Sequence, residues 1–275
     1  MKNNTPRILL QLSDTHIVPN AEKHSSWAKV GDGFHLIADW VNGLSIKPDA
    51  MIITGDLVDD GRPESYACLK KWLHKFDLPI YVIPGNHDHR AHLKEACSGH
   101  VGNVCLEKSE FVQYAVNIAG MRLVTLDTLE EGQSYGVLCD RRLQWLADTL
   151  AAEPDMPTIV AMHHPPFKTG MPFMDEMRLL QGAERLESII LENKQVERVI
   201  CGHQHRASVQ CFGKTVAIVA PSASHQLTPQ FKQDDPLGYT HERPSVFLHM
   251  WHDDDRLVAS HLLSIVGTLD HILFQ

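Results

Sequence analysis

The chain reaches its first predicted strand in a stretch that reads Ile8-Leu9-Leu10-Gln11-Leu12-Ser13-Asp14-Thr15-His16. Apolar residues fill the first half of this stretch, which is typical of a strand buried in a sheet. An aspartate and a histidine, two residues apart, follow where that strand ends. Ligands of α/β proteins bind at the carboxyl ends of the strands, so we expect Asp14 and His16 to lie in a binding site. At this spacing both side chains can face one metal ion.

Four other short polar motifs each come directly after a predicted strand. These strands cover residues 50–54, 79–83, 158–162 and 198–201. The motifs are Gly55-Asp56, Gly85-Asn86-His87-Asp88, His163-His164-Pro165-Pro166 and Gly202-His203-Gln204-His205. Loops that leave the same edge of a sheet would bring these distant residues into one cleft. A Gly-Asp pair alone usually marks a turn. All five polar motifs together, in this order and each after a strand, predict a metal site.

The remaining periodicity predicts the fold class. Helical patterns cover residues 34–46, 63–76, 141–150 and 176–192, and further strands cover 122–126, 216–220, 245–251 and 257–265. Strand–helix alternation followed by β-rich sequence is typical of an α/β sandwich with two sheets flanked by helices. We expect a single domain over residues 1–275, whose β-rich C-terminal segment from about residue 207 is a candidate oligomerisation or cap element. Two segments are candidate covers for the cleft, Met171–Leu180 and Thr228–Pro244.

The composition limits the classes of partner. The chain has 275 residues, of which 43% are hydrophobic, and a formal net charge of -9. That charge argues against general affinity for nucleic acid or anionic membranes, which favour clustered Lys and Arg. Six cysteines without C-x-x-C spacing exclude zinc-ribbon and thioredoxin-like sites. No apolar run approaches the ~18 residues of a membrane span, and the N-terminus lacks a secretory apolar region, so we expect a cytoplasmic protein.

The residue types in the motifs suit a pair of metal ions. Aspartate and histidine supply oxygen and nitrogen ligands without a thiolate, which suits manganese, iron, cobalt or zinc. Asp56, in its Gly-Asp turn, is the natural carboxylate to bridge two cations, and Asn86 offers a neutral carbonyl oxygen. Two divalent ions would outweigh the two carboxylates, so the pocket would be cationic and matched to a phosphate ester. Such a pair, ~4 Å apart, lowers the pKa of a bridging water and clamps the attacking and leaving oxygens.

His87 lies beside a predicted ligand and is better placed as a catalytic group than as a ligand itself. An imidazole can protonate a leaving group or donate a hydrogen bond to phosphate. Asp88, the next residue, is the predicted partner that orients His87. We therefore predict that His87 and Asp88 are catalytic residues.

Taken together, the motifs resemble the calcineurin-like metallophosphoesterase superfamily. Its pattern is D-x-H, G-D, G-N-H-[DE], H and G-H-x-H, and the match runs from Asp14 to His205 with no ligand missing. Within the superfamily, the chain is similar to bacterial class III cyclic-nucleotide phosphodiesterases and to glycerophosphodiesterases. The resemblance implies a four-layer αββα metallophosphoesterase sandwich in which two mixed sheets are flanked by helices.

The resemblance also implies roles for individual residues. One metal would be held by Asp14, His16, Asp56 and His205. The other would be held by Asp56, Asn86, His163 and His203. Iron or manganese is the implied metal pair, with zinc or cobalt also compatible. The substrate-binding residues would be Asn86, His87, His164 and His225. Family oligomerisation often uses the C-terminal end, which leaves a homo-oligomer open.

The implied function is hydrolysis of small-molecule phosphodiesters by a metal-bridging hydroxide. Its substrates would be 3′,5′-cyclic nucleotides such as cAMP, or glycerophosphodiesters. Phosphomonoesterase action is the alternative within the same chemistry, and a nuclease would need a basic track that a net charge of -9 opposes. A non-catalytic scaffold with the same fold is the alternative from another class, but such relatives are expected to have lost ligands or the histidine at position 87.

Overall fold

The computed structural model describes residues 5–19, 30–98, 106, 109–240, 242–252 and 255–265. The strands are β1 (Arg7–Leu12), β2 (Ala50–Thr54), β3 (Ile80–Ile83), β4 (Ala115–Ile118), β5 (Met121–Thr125), β6 (Gly136–Val137), β7 (Thr158–Ala161), β8 (Leu179–Gln181), β9 (Val196–Cys201), β10 (Ser208–Phe212), β11 (Thr215–Val219), β12 (Gln226–Leu227), β13 (Tyr239–Thr240), β14 (Ser245–His252) and β15 (Asp255–Ser264). The helices are α1 (Val30–Gly43), α2 (Pro63–Leu73), α3 (Arg90–Cys97), α4 (Asp140–Ala152), α5 (Pro172–Asp175) and α6 (Ala183–Glu192).

Two mixed sheets form the centre of the fold. The first has the strand order β15-β14-β1-β2-β3, and the second has the order β10-β11-β9-β7-β5-β4. The strands that precede the five motifs run parallel to their neighbours, β1 with β2 and β3 in one sheet and β7 with β9 in the other. Their carboxyl ends therefore lie on one side of each sheet. Two short pairs, β6 with β8 and β12 with β13, lie outside the main sheets.

Alternating side chains of the second sheet divide the core into two layers. Ile159 and Ile200 pack with residues of the first sheet, between the two sheets. Their neighbours Val160 and Val199 pack instead with apolar residues of α4 and α6 on the outer face. Buried residues of α1, α2 and α3 belong to the same core as the first sheet. The predicted four-layer αββα sandwich is thus confirmed, because strand side chains alternate between faces.

The C-terminal third completes both sheets. Strands β10 and β11 extend the second sheet, while β14 pairs antiparallel with β1 and is followed by β15 at the sheet edge. The β-rich character predicted from about residue 207 is therefore part of the sandwich.

The predicted helix over residues 176–192 was wrong in its first half. Leu179–Gln181 form β8, which pairs with β6. Gly182 then takes a φ of 89°, a left-handed conformation that a right-handed helix cannot include, so α6 starts at Ala183. The apolar residues before Gly182 have a helical spacing, but the pairing of β8 with β6 holds them in a strand.

Within the residues that the structure describes, no helix combines the length and apolar sequence that crossing a membrane requires.

Candidate dinuclear metal centre

The five predicted motifs meet at one edge of the sandwich. Backbone hydrogen bonds join the first two loops, since Asp14 N donates to Gly55 O at 3.1 Å and His16 N donates to Asp56 O at 2.9 Å. The loop after β9 is tied to the same place, because His203 N donates to both Asp14 carboxylate oxygens at 3.0 and 3.1 Å. The loops thus support one another across the two sheets.

Backbone strain is concentrated at the predicted ligands. Residues other than glycine rarely take a positive φ, and such conformations cost about 1–3 kcal/mol each. Ala119 is the one residue with such a φ, among the non-glycine residues described, that is not a predicted ligand. The others are Asp14 (53°), His16 (45°), Asp56 (49°), His203 (74°) and His205 (50°). Strain of this kind persists where the surrounding structure fixes it, which is a mark of functional sites.

Two glycines are required by close approach of the motifs. A Cβ atom at Gly85 would lie 2.2 Å from Asp56 Oδ1, and one at Gly202 would lie 1.9 Å from Ser13 Oγ and 2.9 Å from Asp14 Oδ2. No side chain fits at such distances. Gly85 and Gly202 are therefore explained by the polar groups packed against them.

The first cluster of possible metal ligands joins β1, β2 and β9. Ligand atoms of Asp14, His16, Asp56 and His205 all lie within 4.8 Å of one another. His205 Nε2 is 3.4 Å from Asp14 Oδ1 and 3.1 Å from His16 Nε2. This is the set that the sequence predicted for one metal.

Hydrogen bonds at the far side of each ring orient these histidines. His16 Nδ1 lies 3.0 Å from Asp59 Oδ1, and His205 Nδ1 lies 2.9 Å from the carbonyl oxygen of His225. A carboxylate or carbonyl only accepts, so each Nδ1 carries the hydrogen and each Nε2 presents a lone pair. Metal-binding histidines are commonly held in this way by an oxygen on the other ring nitrogen.

The second cluster joins β7, β9 and the loop after β3. His163 Nδ1 donates to Thr54 O at 2.7 Å, which leaves Nε2 facing Asn86 Oδ1 at 3.2 Å and Asp56 Oδ2 at 3.5 Å. A ligand atom of His203 lies within 4.8 Å of one from His163. The structure therefore brings together all seven predicted metal ligands.

The position of His164 corrects the expectation that it binds substrate. His164 is fully buried, and its Nδ1 lies 2.8 Å from Thr128 Oγ1. A ligand atom of His164 falls within 4.8 Å of ligand atoms from His163 and His203, so the side chain belongs to the cluster behind the cavity. His164 does not line the cavity, and its ring packs against Gly136, where a Cβ atom would lie 2.6 Å from His164 Cγ.

The charges of the cluster favour a cation. Burial raises the pKa of Asp56, but the positive charges of His163 and His87 outweigh burial and hold its pKa well below the ordinary value. Burial lowers the pKa of His163, yet Asp56 and Asp14 together raise it to about 9. The position of this ring therefore favours positive charge, which a metal ion would supply in place of a proton.

Two further features of the buried nitrogens fit the same conclusion. His16 Nε2 and His205 Nε2 face each other at 3.1 Å although each Nδ1 holds the hydrogen, and two lone pairs at this distance repel. Nitrogens bound to one cation at ~2.1 Å each lie about 3 Å apart. His203 Nε2 is buried without a hydrogen-bond partner. The donor set thus fits divalent cations.

Asp59 is a site residue that the sequence did not predict. Its carbonyl oxygen lies 2.8 Å from His87 Nδ1, and its carboxylate contacts His16. His16, Asp59 and His87 form a third group of possible ligands within 4.8 Å. The available signal was the sequence Gly55-Asp56-x-x-Asp59, because it places a second carboxylate three residues after the predicted bridge, in the same loop after β2.

The contacts of Asp88 correct its predicted role. Its carboxylate accepts hydrogen bonds from the backbone of Leu57 (3.1 Å) and Gly85 (2.9 Å) and from the Tyr66 hydroxyl (2.8 Å). The ring of His87 is contacted by Asp59 instead. Asp88 is buried and joins the loops after β2 and β3, so it shapes the site without orienting the histidine.

A cavity of about 310 Å³ opens above the two clusters. His87 and Asn86 line it together with His225, whose ring centroid is 4.3 Å from that of His205. Ser134, which the sequence did not single out, also lines the cavity. Another part of the lining is apolar and comes from two segments, with the side chains Phe173, Met174, Met177 and Leu227.

Arg206 holds one of these wall segments in place. Its Nε donates to Leu227 O, and its guanidinium pairs with Glu242 at 2.7 Å and contacts Thr240. Contact with these groups explains why an arginine directly follows His205. The arginine thereby links the last metal loop to the cavity wall.

One protein-family model covers most of the chain, including all five motifs. The model for calcineurin-like phosphoesterases matches residues 8–207, which include every strand that carries a motif. The chain belongs to the calcineurin-like phosphoesterase family.

Relatives of this calcineurin-like phosphoesterase span most of its length. A probable glycerophosphodiester phosphodiesterase GpdQ of Arcobacter nitrofigilis is 34% identical over 92% of this chain and 91% of its own. A 3′,5′-cyclic-nucleotide phosphodiesterase of Nostoc sp. is 27% identical over 84% of this chain and 83% of its own. The fold is shared with a dimetal phosphatase from Danio rerio at a TM-score of 0.63 and 13% identity, over 95% of this chain and 100% of the other.

Proposed function

We propose that the chain is a phosphodiesterase that uses two divalent cations. The observation that carries the proposal is the position of one buried atom, Asp56 Oδ2. It lies 3.6 Å from His16 Nε2 in the first cluster and 3.5 Å from His163 Nε2 in the second. A carboxylate oxygen placed between two sets of ligands is suited to bridge two metals.

The residues at this edge would divide into two ligand sets. Asp14, His16 and His205 would hold one cation, and Asn86, His163 and His203 the other, with Asp56 shared. Oxygen and nitrogen donors without thiolate suit iron, manganese, zinc and cobalt. Among these, the resemblance to the family favours iron or manganese.

The reaction that fits this site is displacement at phosphorus. When bound, the two cations would polarise the phosphoryl group and lower the pKa of an attacking water. His87 would donate a proton to the leaving oxygen through Nε2, because Asp59 O holds the hydrogen at Nδ1. Burial lowers the pKa of His87, but the nearby carboxylates of Asp56 and Asp59 outweigh it and raise the pKa, which favours a proton donor.

Diesters are the substrate class that the lining supports best. Among the described residues that line the cavity, none carries an ammonium or guanidinium group. The metals and His87 would then meet the single negative charge of a diester, and no lysine or arginine of this lining would meet the second charge of a monoester. The relatives named as glycerophosphodiester and 3′,5′-cyclic-nucleotide phosphodiesterases indicate two kinds of small diester.

Two alternatives receive less support. A phosphomonoesterase would have to accommodate a second negative charge in this lining. A non-catalytic scaffold would not need the full ligand set or a histidine positioned by Asp59. We also propose that residues 1–275 are one domain, because β14 and β15 complete the first sheet. A cytoplasmic location and a homo-oligomer stay predictions.

The function is tested by comparing substrates directly. Manganese-reconstituted protein is assayed on 3′,5′-cAMP, glycerophosphoethanolamine, bis-p-nitrophenyl phosphate and p-nitrophenyl phosphate, with Asp56→Ala as the blank. We expect a higher kcat/KM for the synthetic diester than for the monoester, and turnover of one natural diester. Equal or greater turnover of the monoester would overturn the diesterase assignment, and no turnover of any ester would support the scaffold.

A further inference from the structure

The cavity has two chemically different faces. The candidate metal-binding face carries imidazoles, a carboxylate and an amide, whereas Phe173, Met174, Met177 and Leu227 form an apolar wall. Phe173, Met174 and Leu227 also line a second cavity together, so they lie side by side. A ligand that fills the space must therefore be polar at one end and apolar at the other. The volume of about 310 Å³ lies at the lower end of the range of small-molecule pockets, so the ligand is small.

Polar contacts on its outer side fix the apolar wall. Asp175, in α5, accepts hydrogen bonds from Thr169 N at 2.7 Å and Gly170 N at 3.1 Å. Phe173 N donates to Gln230 Oε1 at 3.1 Å, which joins α5 to the segment after β12. These bonds place Phe173 and Met174 before any substrate arrives. A preformed wall contributes more to binding than one that must be ordered by the ligand.

The Leu227 side of the wall is fixed independently. Its backbone carbonyl accepts from Arg206 Nε, and Arg206 also pairs with Glu242. Because Arg206 follows a predicted metal ligand, the same loop positions the metal face and part of the apolar wall. The distance between the two faces is thereby set by the fold.

Contact chemistry decides what the wall accepts. A phenylalanine edge and two methionine thioethers make favourable contacts with an aromatic ring. The hydroxyls of a polyol would lose hydrogen bonds to water without gaining partners on such a wall. Phe173 is 40% exposed, so a ring that covers it would also remove apolar surface from water.

We propose that this apolar wall binds an uncharged aromatic substituent of the phosphodiester, such as a nucleobase or an aryl group. The proposal rests on the proposed function and narrows it: diesters with an aromatic substituent are selected over those with a glycerol substituent. The four wall residues are specificity-determining residues, and they lie outside the metal ligand sets.

Three phosphonates separate the wall from the metal site. Phenylphosphonate, methylphosphonate and 2,3-dihydroxypropylphosphonate, each used as its monomethyl ester, carry the single negative charge of a diester and differ in the substituent alone. Their dissociation constants for manganese-reconstituted protein are measured by calorimetry, which does not require turnover. We expect phenylphosphonate to bind at least about tenfold more tightly than either of the others.

Two variants test which residues give the preference. Phe173→Ala and Met177→Gln should each reduce the phenyl-to-methyl ratio by about threefold or more while methylphosphonate binding stays unchanged. Phe231→Ala is the matched control, because it removes the same side chain from a neighbouring exposed position that does not line the cavity. Its ratio should equal that of the wild type.

Each outcome is decisive for one of the two proposals. Equal affinities for phenyl- and methylphosphonate, or tighter binding of the dihydroxypropyl compound, would overturn the aromatic subsite even if the protein hydrolyses diesters. A phenyl preference unchanged by both wall variants would also overturn it. If the protein prefers phenylphosphonate but hydrolyses no ester, the aromatic subsite is upheld and only the proposed function is rejected.

Discussion

The backbone carbonyl oxygen of Asp59 lies 2.8 Å from Nδ1 of His87. Since a carbonyl can only accept, one hydrogen of the ring sits on Nδ1, and the proton that the protonated ring carries on Nε2 is the one available to the substrate. The side-chain carboxylate of the same residue lies 3.0 Å from His16 Nδ1. One residue thus positions a proposed proton donor with its backbone and a proposed metal ligand with its side chain.

His87→Gln should separate catalysis from metal binding. The variant loses the proton donor but leaves both ligand clusters in place, so kcat should fall on the order of 10²–10⁴-fold. Metal content, measured by atomic emission after gel filtration, should match that of the wild type. Loss of one metal equivalent would instead make His87 a ligand and would contradict its assigned role.

Asp59→Ala should weaken metal binding through His16. Removing an oxygen that orients a ligating histidine typically lowers metal affinity about 10–100-fold. Asp60→Ala is the matched control, since Asp60 accepts hydrogen bonds from Arg62 N and Ser65 Oγ at the start of α2. Competition with a chromophoric chelator gives the affinities. Equal affinity in both variants would show that the Asp59 carboxylate does not support the site.

Gly85→Ala should disrupt the bridging carboxylate directly. The added Cβ would lie 2.2 Å from Asp56 Oδ1 and 2.7 Å from His163 Nε2, so one of these groups must move. We expect loss of at least one metal equivalent. Gly43→Ala is the control, because a Cβ there meets nothing within 4 Å and alanine favours the helix by up to about 1 kcal/mol. Full metal content in Gly85→Ala would contradict the close packing described.

Local sequence was sufficient to predict most of the metal site. Each ligand lies within a few residues of a strand end, and strand ends are readable from short apolar runs. Asp14, Asp56 and His163 were therefore predicted with their neighbours. Asp88 was assigned the wrong contact because adjacency in sequence suggested His87, whereas its side chain turns inward to Tyr66.

The sequence did not predict which distant strands and loops lie side by side. The insertion of β14 beside β1 joins residues more than 230 positions apart, and nothing in either strand specifies its partner. The same limit hid the apolar wall, because Phe173 and Leu227 meet only once both segments fold over the cavity. The pairing of β8 with β6 likewise made a strand of residues 179–181, for which the apolar spacing predicted a helix.

A buried polar chain connects the C-terminal hairpin to the second sheet. His249 Nε2 lies 3.0 Å from Gln11 Oε1, and Gln11 Nε2 donates to Thr54 Oγ1 and to Cys201 O. His249 Nδ1 lies 2.8 Å from Ser260 Oγ. Because the Gln11 amide nitrogen is used as a donor, its oxygen accepts, and the neutral His249 ring carries hydrogen on Nε2.

This histidine should make stability depend on pH. Burial, with a smaller effect from Arg198, lowers the pKa of His249 to about 3 from an ordinary value of 6.5. Below pH 6.5 the unfolded chain binds a proton that the folded chain does not, so stability is fully present above 6.5 and falls toward pH 3. The loss from this residue should reach about 2 kcal/mol at pH 5.

His249→Leu isolates that contribution. At pH 8 the variant should be less stable by about 1–3 kcal/mol, because Gln11 Oε1 loses its buried donor. The difference from wild type should shrink by about 2 kcal/mol between pH 8 and pH 5. This difference in unfolding free energy is measured by urea unfolding of both proteins at each pH. A metal chelator is present so that metal binding does not contribute. Parallel pH curves would contradict the neutral, buried state of this ring.

Two cations should share Asp56, and both should be needed for hydrolysis. The most direct test is a titration of metal-free protein with manganese, in which turnover of bis-p-nitrophenyl phosphate is followed against the metal equivalents bound. The predicted result is activity that rises to a maximum at two equivalents per chain and an Asp56→Ala variant that binds fewer than two and is inactive. Full activity at one equivalent, or two bound metals and turnover in Asp56→Ala, would contradict the shared carboxylate and with it the two-metal phosphodiesterase.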